Sequence, residues 1–372
     1  FLRERPAKAP RPGTNPVPAR VGDPSPIRYV LYVIKENRTY DQVFGDMEKG
    51  DGDPSLAIFG EDVTPNHHAL AREFVLFDNL YADGEVSVDG HHWSNGAFVP
   101  DAMQRLWPAQ YGAKGSPPIR YGDFGDPLAN TPGPRLWDLA AAAKLPFRTY
   151  YYHTDKNRSD AWAAARAAGV RDHVAADIFL KDLERWEASG EMPRLMVMAL
   201  SEDHTKGATP GAPTPQACVA SNDLALGKIV AACSRSRFWK EMAIFVIEDD
   251  AQNGPDHVDA HRTVGLVVSP YTRRGGMVDS TFHNTTSMLR TIELILGLPP
   301  MSPFDAAATP MYAAFAAKAD PTPYVCRPAR IDLEAKNPAK GALARLSERL
   351  DLSEPDRLSV EDEQLLNRIL WH

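Results

Sequence analysis

Cysteine is nearly missing: Cys218, Cys233 and Cys326 are the three in 372 residues. A scaffold stapled by several disulfides is therefore excluded, and no cysteine-based zinc site can be assembled. Cys218 and Cys233 fall at the two ends of one expected helix, too far apart to bond unless that helix breaks. Basic residues are in deficit, with 41 Lys and Arg against 49 Asp and Glu and a formal net charge of −8. Such a balance gives no general affinity for nucleic acid or for an anionic membrane surface, though a local patch could bind either. Apolar runs are short; none reaches eighteen residues, so no membrane span is expected. A P-loop, a Gly-x-Ser-x-Gly elbow and a dinucleotide fingerprint are all missing. Proline is the exception to this scarcity, at 32 residues. Pro6, Pro10, Pro12, Pro16, Pro18, Pro24 and Pro26 make residues 1–26 read as an extended linker or an arm on the surface.

A domain covering residues 27–372 then begins abruptly. Ile27 to Ile34 is a nearly unbroken apolar run, as expected of a strand buried on both faces of a parallel sheet. Comparable runs occur at Phe74 to Phe77, Phe147 to Tyr152, Leu195 to Leu200, Ala243 to Ile247 and Val264 to Val268. Helical patterns separate them, at Arg135 to Lys144, Ser159 to Ser189, Pro215 to Ala232 and Asn284 to Leu296. The last has a capping Asn284, a terminating Gly297 and two prolines beyond. Alternating strands and helices imply an α/β fold with a mainly parallel central sheet flanked by helices. Residues 301–358 read as irregular, and Ser359 with Asp362 opens a terminal helix.

Ligands of open α/β sheets bind beyond the carboxyl ends of strands. Lys35-Glu36-Asn37-Arg38-Thr39-Tyr40-Asp41 follows the first run. Ser201-Glu202-Asp203-His204 follows the run ending at Leu200. Glu248-Asp249-Asp250 follows Ile247, with Asp256-His257 and His261 beyond. These residue types suit a hard or borderline divalent cation, and adjacent carboxylates repel unless something screens them. After Phe77 comes a loop containing Asp83-Gly84-Glu85-Val86-Ser87-Val88-Asp89-Gly90-His91-His92-Trp93. A hydroxyl in such a loop, followed by His, suits a nucleophile whose pKa a metal lowers.

The order of these pieces resembles the alkaline-phosphatase superfamily. Ile34 through Gly45 looks like the opening motif of its bacterial phosphoesterase family, which contains phospholipases C and acid phosphatases. Glu248-Asp249-Asp250 through Val258 looks like that family's later metal motif. Ser269-Pro270-Tyr271 with Arg274-Gly275 resembles the family's next strand and turn, and Thr286 through Arg290 resembles its late helix. The resemblance spans about residues 27–300 and is nearest to the phosphoesterase half of proteins that carry an upstream β-propeller, making residues 1–26 the linker from that propeller.

The resemblance implies one or two divalent ions (Zn, Mn, Ca or Mg), with Glu36 and Asn37 as ligands and Asp249 and Asp250 completing the site. His204 would contact phosphate or a second metal, with Asp203 beside it as a ligand, and His257 and His261 compete for the remaining ligand position. Ser87 would be the nucleophile, although Val88-Asp89-Gly90-His91 stands where the family has Pro-Asn followed by a basic residue. His91 is assigned to the substrate. Thr39 and Ser94 are the rival hydroxyls. His67 and His68 read as helix-start residues, His153 could touch substrate, and His283 is expected to pack locally. Cys326-Arg327-Pro328-Ala329-Arg330 fits the sulfatase C-x-P-x-R pattern but falls after every expected ligand, and reads as coincidence.

The implied activity is hydrolysis of a small phosphorylated substrate through a phosphoserine. Two alternatives stand beside it: a phospholipase C-like phosphodiesterase, which an exposed aromatic rim near Trp93 or Trp107 would favour, and a binding module that lacks catalysis, which lost ligands would favour. Because the resembled family is largely exported and the chain opens on Phe1, a periplasmic or cell-surface location is expected.

Overall fold

The computed structural model describes residues 14–112, 131–151, 153–251, 254–352 and 358–371. Pro6, Pro10 and Pro12 of the expected arm, and Tyr152 at the end of an expected strand, lie outside the described residues. The strands are β1 (Tyr29–Lys35), β2 (Val75–Phe77), β3 (Leu80–Tyr81), β4 (Phe147–Tyr150), β5 (Leu195–Ala199), β6 (Met242–Glu248), β7 (Gly265–Val268), β8 (Met277–Asp279) and β9 (His283–Asn284). The helices are α1 (Tyr40–Phe44), α2 (Pro65–Glu73), α3 (Ser87–Gly96), α4 (Asp101–Gly112), α5 (Leu136–Ala142), α6 (Asp160–Ala167), α7 (Asp172–Ser189), α8 (Pro215–Arg235), α9 (Thr285–Leu296), α10 (Pro303–Ala307), α11 (Ala342–Ser347) and α12 (Val360–Trp371).

The central sheet has the order β4-β5-β1-β6-β7. β4, β5, β1 and β6 are parallel, and β7 closes one edge antiparallel to β6. β1 lies in the middle, which is why it is unbrokenly apolar until Lys35. Its side chains alternate between two cores. Leu31 and Val33 pack with Phe179 of α7 and Leu226 and Ile229 of α8; Val30, Tyr32 and Ile34 pack with Leu136 of α5 and Met288 and Ile292 of α9. In register, Ile34 pairs with Ala199 on one side, and Lys35 with Glu248 on the other. The segments following three strands therefore emerge side by side.

Three expectations need adjustment. Residues 159–189 are two helices, α6 and α7, because Gly169 takes φ of +66° and the left-handed turn ends the first of them. β2 stays outside the central sheet and pairs with β8, while β3 pairs with β9. α8 is long and apolar enough to cross a membrane by length and composition alone, yet 83% of its most apolar window is buried in the fold. The arm, from residue 14 onward, is docked: Val17 is buried, and the Asn15 side-chain amide donates to the Tyr312 carbonyl. All three cysteines are free.

Candidate active site

Glu36 and Asn37 leave the carboxyl end of β1, and Asn37 makes the turn with φ of +65°. Asp249 and Asp250 leave the end of neighbouring β6, where the Asp249 amide donates to the Lys35 carbonyl at 3.0 Å. Parallel pairing thus delivers a carboxylate from each strand to one edge. α3 supplies the third side. Ser87 is its first residue, and His91 lies one turn further on, so the two share a face. The Ser87 hydroxyl donates to Asn37 Oδ1 at 3.2 Å. His91 Nε2 sits 3.7 Å from Glu36 Oε1 and 3.6 Å from Asp249 Oδ2. Ser87, His91, Asp249 and Asp250 are all essentially buried. Gly90 permits this approach: a Cβ there would stand 2.6 Å from the Asp249 carbonyl oxygen.

A second layer holds these groups. The buried Lys35 ammonium lies 2.9 Å from Asp203 Oδ2 and 2.8 Å from Glu248 Oε1. Burial opposes its charge, but the two carboxylates more than compensate and hold its pKa above the usual value. Burial, followed by the Asp203 charge, pushes Glu248 up to about 8. Asp203 Oδ1 accepts the Glu36 amide at 3.2 Å, and its carbonyl accepts Arg38 Nε at 2.9 Å. On the other flank the Tyr151 hydroxyl meets His91 Nδ1 at 2.7 Å and accepts from the Asn95 amide at 2.9 Å. Burial, then the neighbouring His92, lowers His91 to about 3, so its imidazole is neutral at ordinary pH.

Glu36, Asn37, Ser87, His91 and Asp249 are thus gathered in one place, and the Asp250 backbone bridges to Gly84 beside them. Four of the expected residues are engaged elsewhere or otherwise placed. The Asp203 carboxylate is engaged by Lys35 and the Glu36 amide, and it positions the motif. His257 pairs with Asp41 at 2.6 Å. His261 pairs with Glu85 at 3.0 Å and Asp259 at 2.9 Å. Both histidines are engaged by other carboxylates, His257 by Asp41 of α1 and His261 by Glu85 and Asp259, and neither stands in the Glu36–Asp249 group. His91, expected to meet substrate, instead stands between the carboxylates.

His204 is buried beside Arg38, its Nδ1 facing the Thr205 carbonyl; burial, then the Arg38 charge, lowers it to about 4. The rival hydroxyls are committed locally. Thr39 caps α1 and donates to the Pro255 carbonyl, and Ser94 donates to the His91 carbonyl. His67 and His68 start α2, paired with Asp223 and Asp46, and His283 packs on Phe77. His153 does reach the site, its ring centre 4.5 Å from that of His91. Cys326 belongs to a strip anchored on Asn66 through the Arg327 backbone.

Lys35 and Tyr151 carry no signal when strand ends are searched for carboxylate and imidazole alone. Both stand at strand ends, and a search there for any polar side chain finds them.

The donor set fits a divalent cation: three buried carboxylates, an amide oxygen, a hydroxyl and a neutral imidazole are oxygen-rich and borderline, and the carboxylates need a counter-charge. Asp41, Asp256 and His257 form another group with ligand atoms within 4.8 Å of one another. There the counter-charge is built in, because the buried Arg262 guanidinium donates to Asp41 at 3.1 Å and to Asp256 at 2.9 Å.

A mainly parallel sheet with acidic groups beyond its carboxyl ends, and helices on both faces, is the architecture of the alkaline-phosphatase superfamily. A superfamily member from Vibrio parahaemolyticus superposes with a TM-score of 0.51 at 17% identity, covering 82% of this chain and 74% of its own. A protein of Bacteroides thetaiotaomicron, from work on its metabolism of multiple glycosaminoglycans, gives a TM-score of 0.51 at 9% identity, covering 82% and 83%. Within that fold the sequence matches the phosphoesterase family over residues 47–299, and the chain belongs to it. Glu36 and Asn37 lie just before that span, so their assignment rests on geometry. No curated protein matches the sequence.

Proposed function

We propose that the protein is a metal-dependent phosphoesterase acting through a covalent phosphoserine at Ser87. The observation that carries this reading is the placement of the Ser87 hydroxyl at the start of α3, against Asn37, with His91 one turn on between Glu36 and Asp249. Glu36, Asn37, Asp249, Asp250 and His91 would hold a divalent cation, which when bound supplies Lewis acidity and counter-charge. Ser87 attacks phosphorus in line, its Oγ–P bond forming as the bond to the leaving alcohol breaks. The hydroxyl proton passes to solvent and the departing alkoxide takes one up. The first-turn amides of α3 face the phosphoryl oxygens, where a helix N-terminus favours negative charge. Asp203 and Lys35 fix the turn that carries Glu36, and Tyr151 fixes the His91 ring. Water then cleaves the phosphoserine and regenerates Ser87.

Ser87→Ala should lower turnover on the order of a thousandfold or more while leaving the fold intact. Acid quenching of the wild type during turnover should leave phosphate on Ser87, read by mass spectrometry. Near-normal turnover of the alanine variant sinks the reading.

The aromatic rings near Trp93 favour a bulky alcohol. Phe304 meets Trp93 edge-on at 5.1 Å and is 50% exposed. A phosphodiester is therefore a substrate form to assay beside monoesters.

A further inference from the structure

A cavity of about 490 Å³, within the roughly 300–1,000 Å³ usual for ligand pockets, lies between α3 and the start of α9. Its walls include Trp93, Phe304 and Phe282, and its polar side carries Asp83, Ser287 and Thr309. Phe282 and Phe304 are 44% and 50% exposed, two of the three exposed Phe, Trp or Tyr rings among the described residues. Asp83 is four residues from Ser87, so their Cα atoms lie no more than about 14 Å apart. A phosphate and one ring bridge that distance.

The lining narrows the ligand. An alkyl chain would leave the Asp83 carboxylate facing hydrocarbon, which is costly. An anion is disfavoured because no Lys or Arg lines the cavity among the described residues. Both Asp83 carboxylate oxygens already accept hydrogen bonds, from the Thr286 amide at 3.0 Å and the Asn284 side-chain amide at 2.8 Å, and burial nevertheless pushes its pKa up to about 6. A cation therefore gains less there than at a bare carboxylate. What remains is a neutral ligand rich in hydroxyl donors, with a flat apolar face for the rings.

We propose that this pocket holds the alcohol portion of the ester and that this alcohol is a hydroxyl-rich ring, a sugar. The assignment rests on the hydrolase reading of Ser87. Asp83 and the Thr309 hydroxyl take the ring hydroxyls, while Trp93, Phe282 and Phe304 cover its C–H face.

The test compares a hexose 6-phosphate, methyl phosphate and phosphocholine as substrates of the metal-supplemented protein and of its Phe304→Ala and Phe282→Ala variants. The wild type should prefer the hexose ester over methyl phosphate by roughly 10- to 200-fold in kcat/KM. Each variant should lose most of that preference while methyl phosphate turnover stays unchanged. Equal losses on both esters, or a preference for phosphocholine, overturn the proposal. If the wild type hydrolyses none of the three, the hydrolase reading fails. The pocket is then judged alone, by titrating tryptophan fluorescence with the hexose phosphate. A saturable change that Trp93→Phe abolishes supports the sugar site, and its absence refutes it.

Discussion

Lys35 shows how one side chain sets a site that it never touches chemically. Its ammonium bridges carboxylates from the segment after β5 and the end of β6, the two strands that flank β1, and one of these, Asp203, holds the backbone of Glu36. Lys35→Met removes the cation and leaves two buried acids facing each other. The expected loss is about 3–5 kcal/mol of unfolding free energy, measured by urea denaturation. Adding Glu248→Gln should recover part of it, because one of the two orphaned acids is then neutral at every pH. Tyr151→Phe should act more gently: the fold persists, the His91 ring loses its anchor, and cation affinity drops about 10- to 100-fold by calorimetric titration, as for other groups that orient a ligand. Unchanged affinity would exclude His91 from the ligand shell.

At the scale of elements, the closest approach in the site is between α3 and the loop after β6. Gly90→Ala puts a methyl group 2.6 Å from the Asp249 carbonyl oxygen, and backbone must shift to admit it. We expect about 1–3 kcal/mol of destabilisation, with a turnover loss of about a hundredfold from the displaced carboxylate. The loop from Asp256 to His261 is pinned differently. The hydrogen bond to Glu85 raises His261 from 6.5 to about 9. The folded state thus holds a proton that the unfolded chain releases. The stabilisation is full below about pH 6.5 and is lost as pH rises towards 9. Stability measured across that window should fall less steeply in His261→Gln, and titration of the His261 ring by NMR checks the shift directly.

These elements also show what can be read from sequence. β1 and β6 are legible because strands buried on both faces are unbroken apolar runs, and the chemistry follows immediately at Glu36 and Asp249. Ser87 and His91 read from sequence as members of a loop; that segment is α3, whose turn of four residues brings the two to one face. For Asp203, His257 and His261 the sequence does not show the partner, because residue type alone does not name it. Lys35, Asp41 and Glu85 capture them, and those pairings depend on register between distant segments. The split between α6 and α7 is visible in principle at Gly169, which sits in the middle of an otherwise helical pattern.

For the whole molecule, a buried set of acids with hard-ligand chemistry would link folding to a cation. Divalent metal at about a hundredfold over its Kd should add about 2.7 kcal/mol of stability, and a chelator should remove it. Asp249→Asn should abolish most of that increment. A melting temperature indifferent to both metal and chelator argues against the site.

The pairing of β2 with β8 and of β3 with β9 carries a consequence for the order of events during synthesis. Asn284 donates to Asp83 from 201 positions further along the chain, so the segment leading into Ser87, already tied to Asp250 and His261, lacks the last of its anchors until residues 277–286 have been made. The sheet built from β4, β5, β1 and β6 needs nothing beyond Glu248. On refolding, tryptophan burial in the core should therefore precede the return of activity by a resolvable lag, and a nascent chain ending before residue 277 should be compact yet inert. The Ser87 hydroxyl would thereby be kept disarmed until residues 277–286 have emerged.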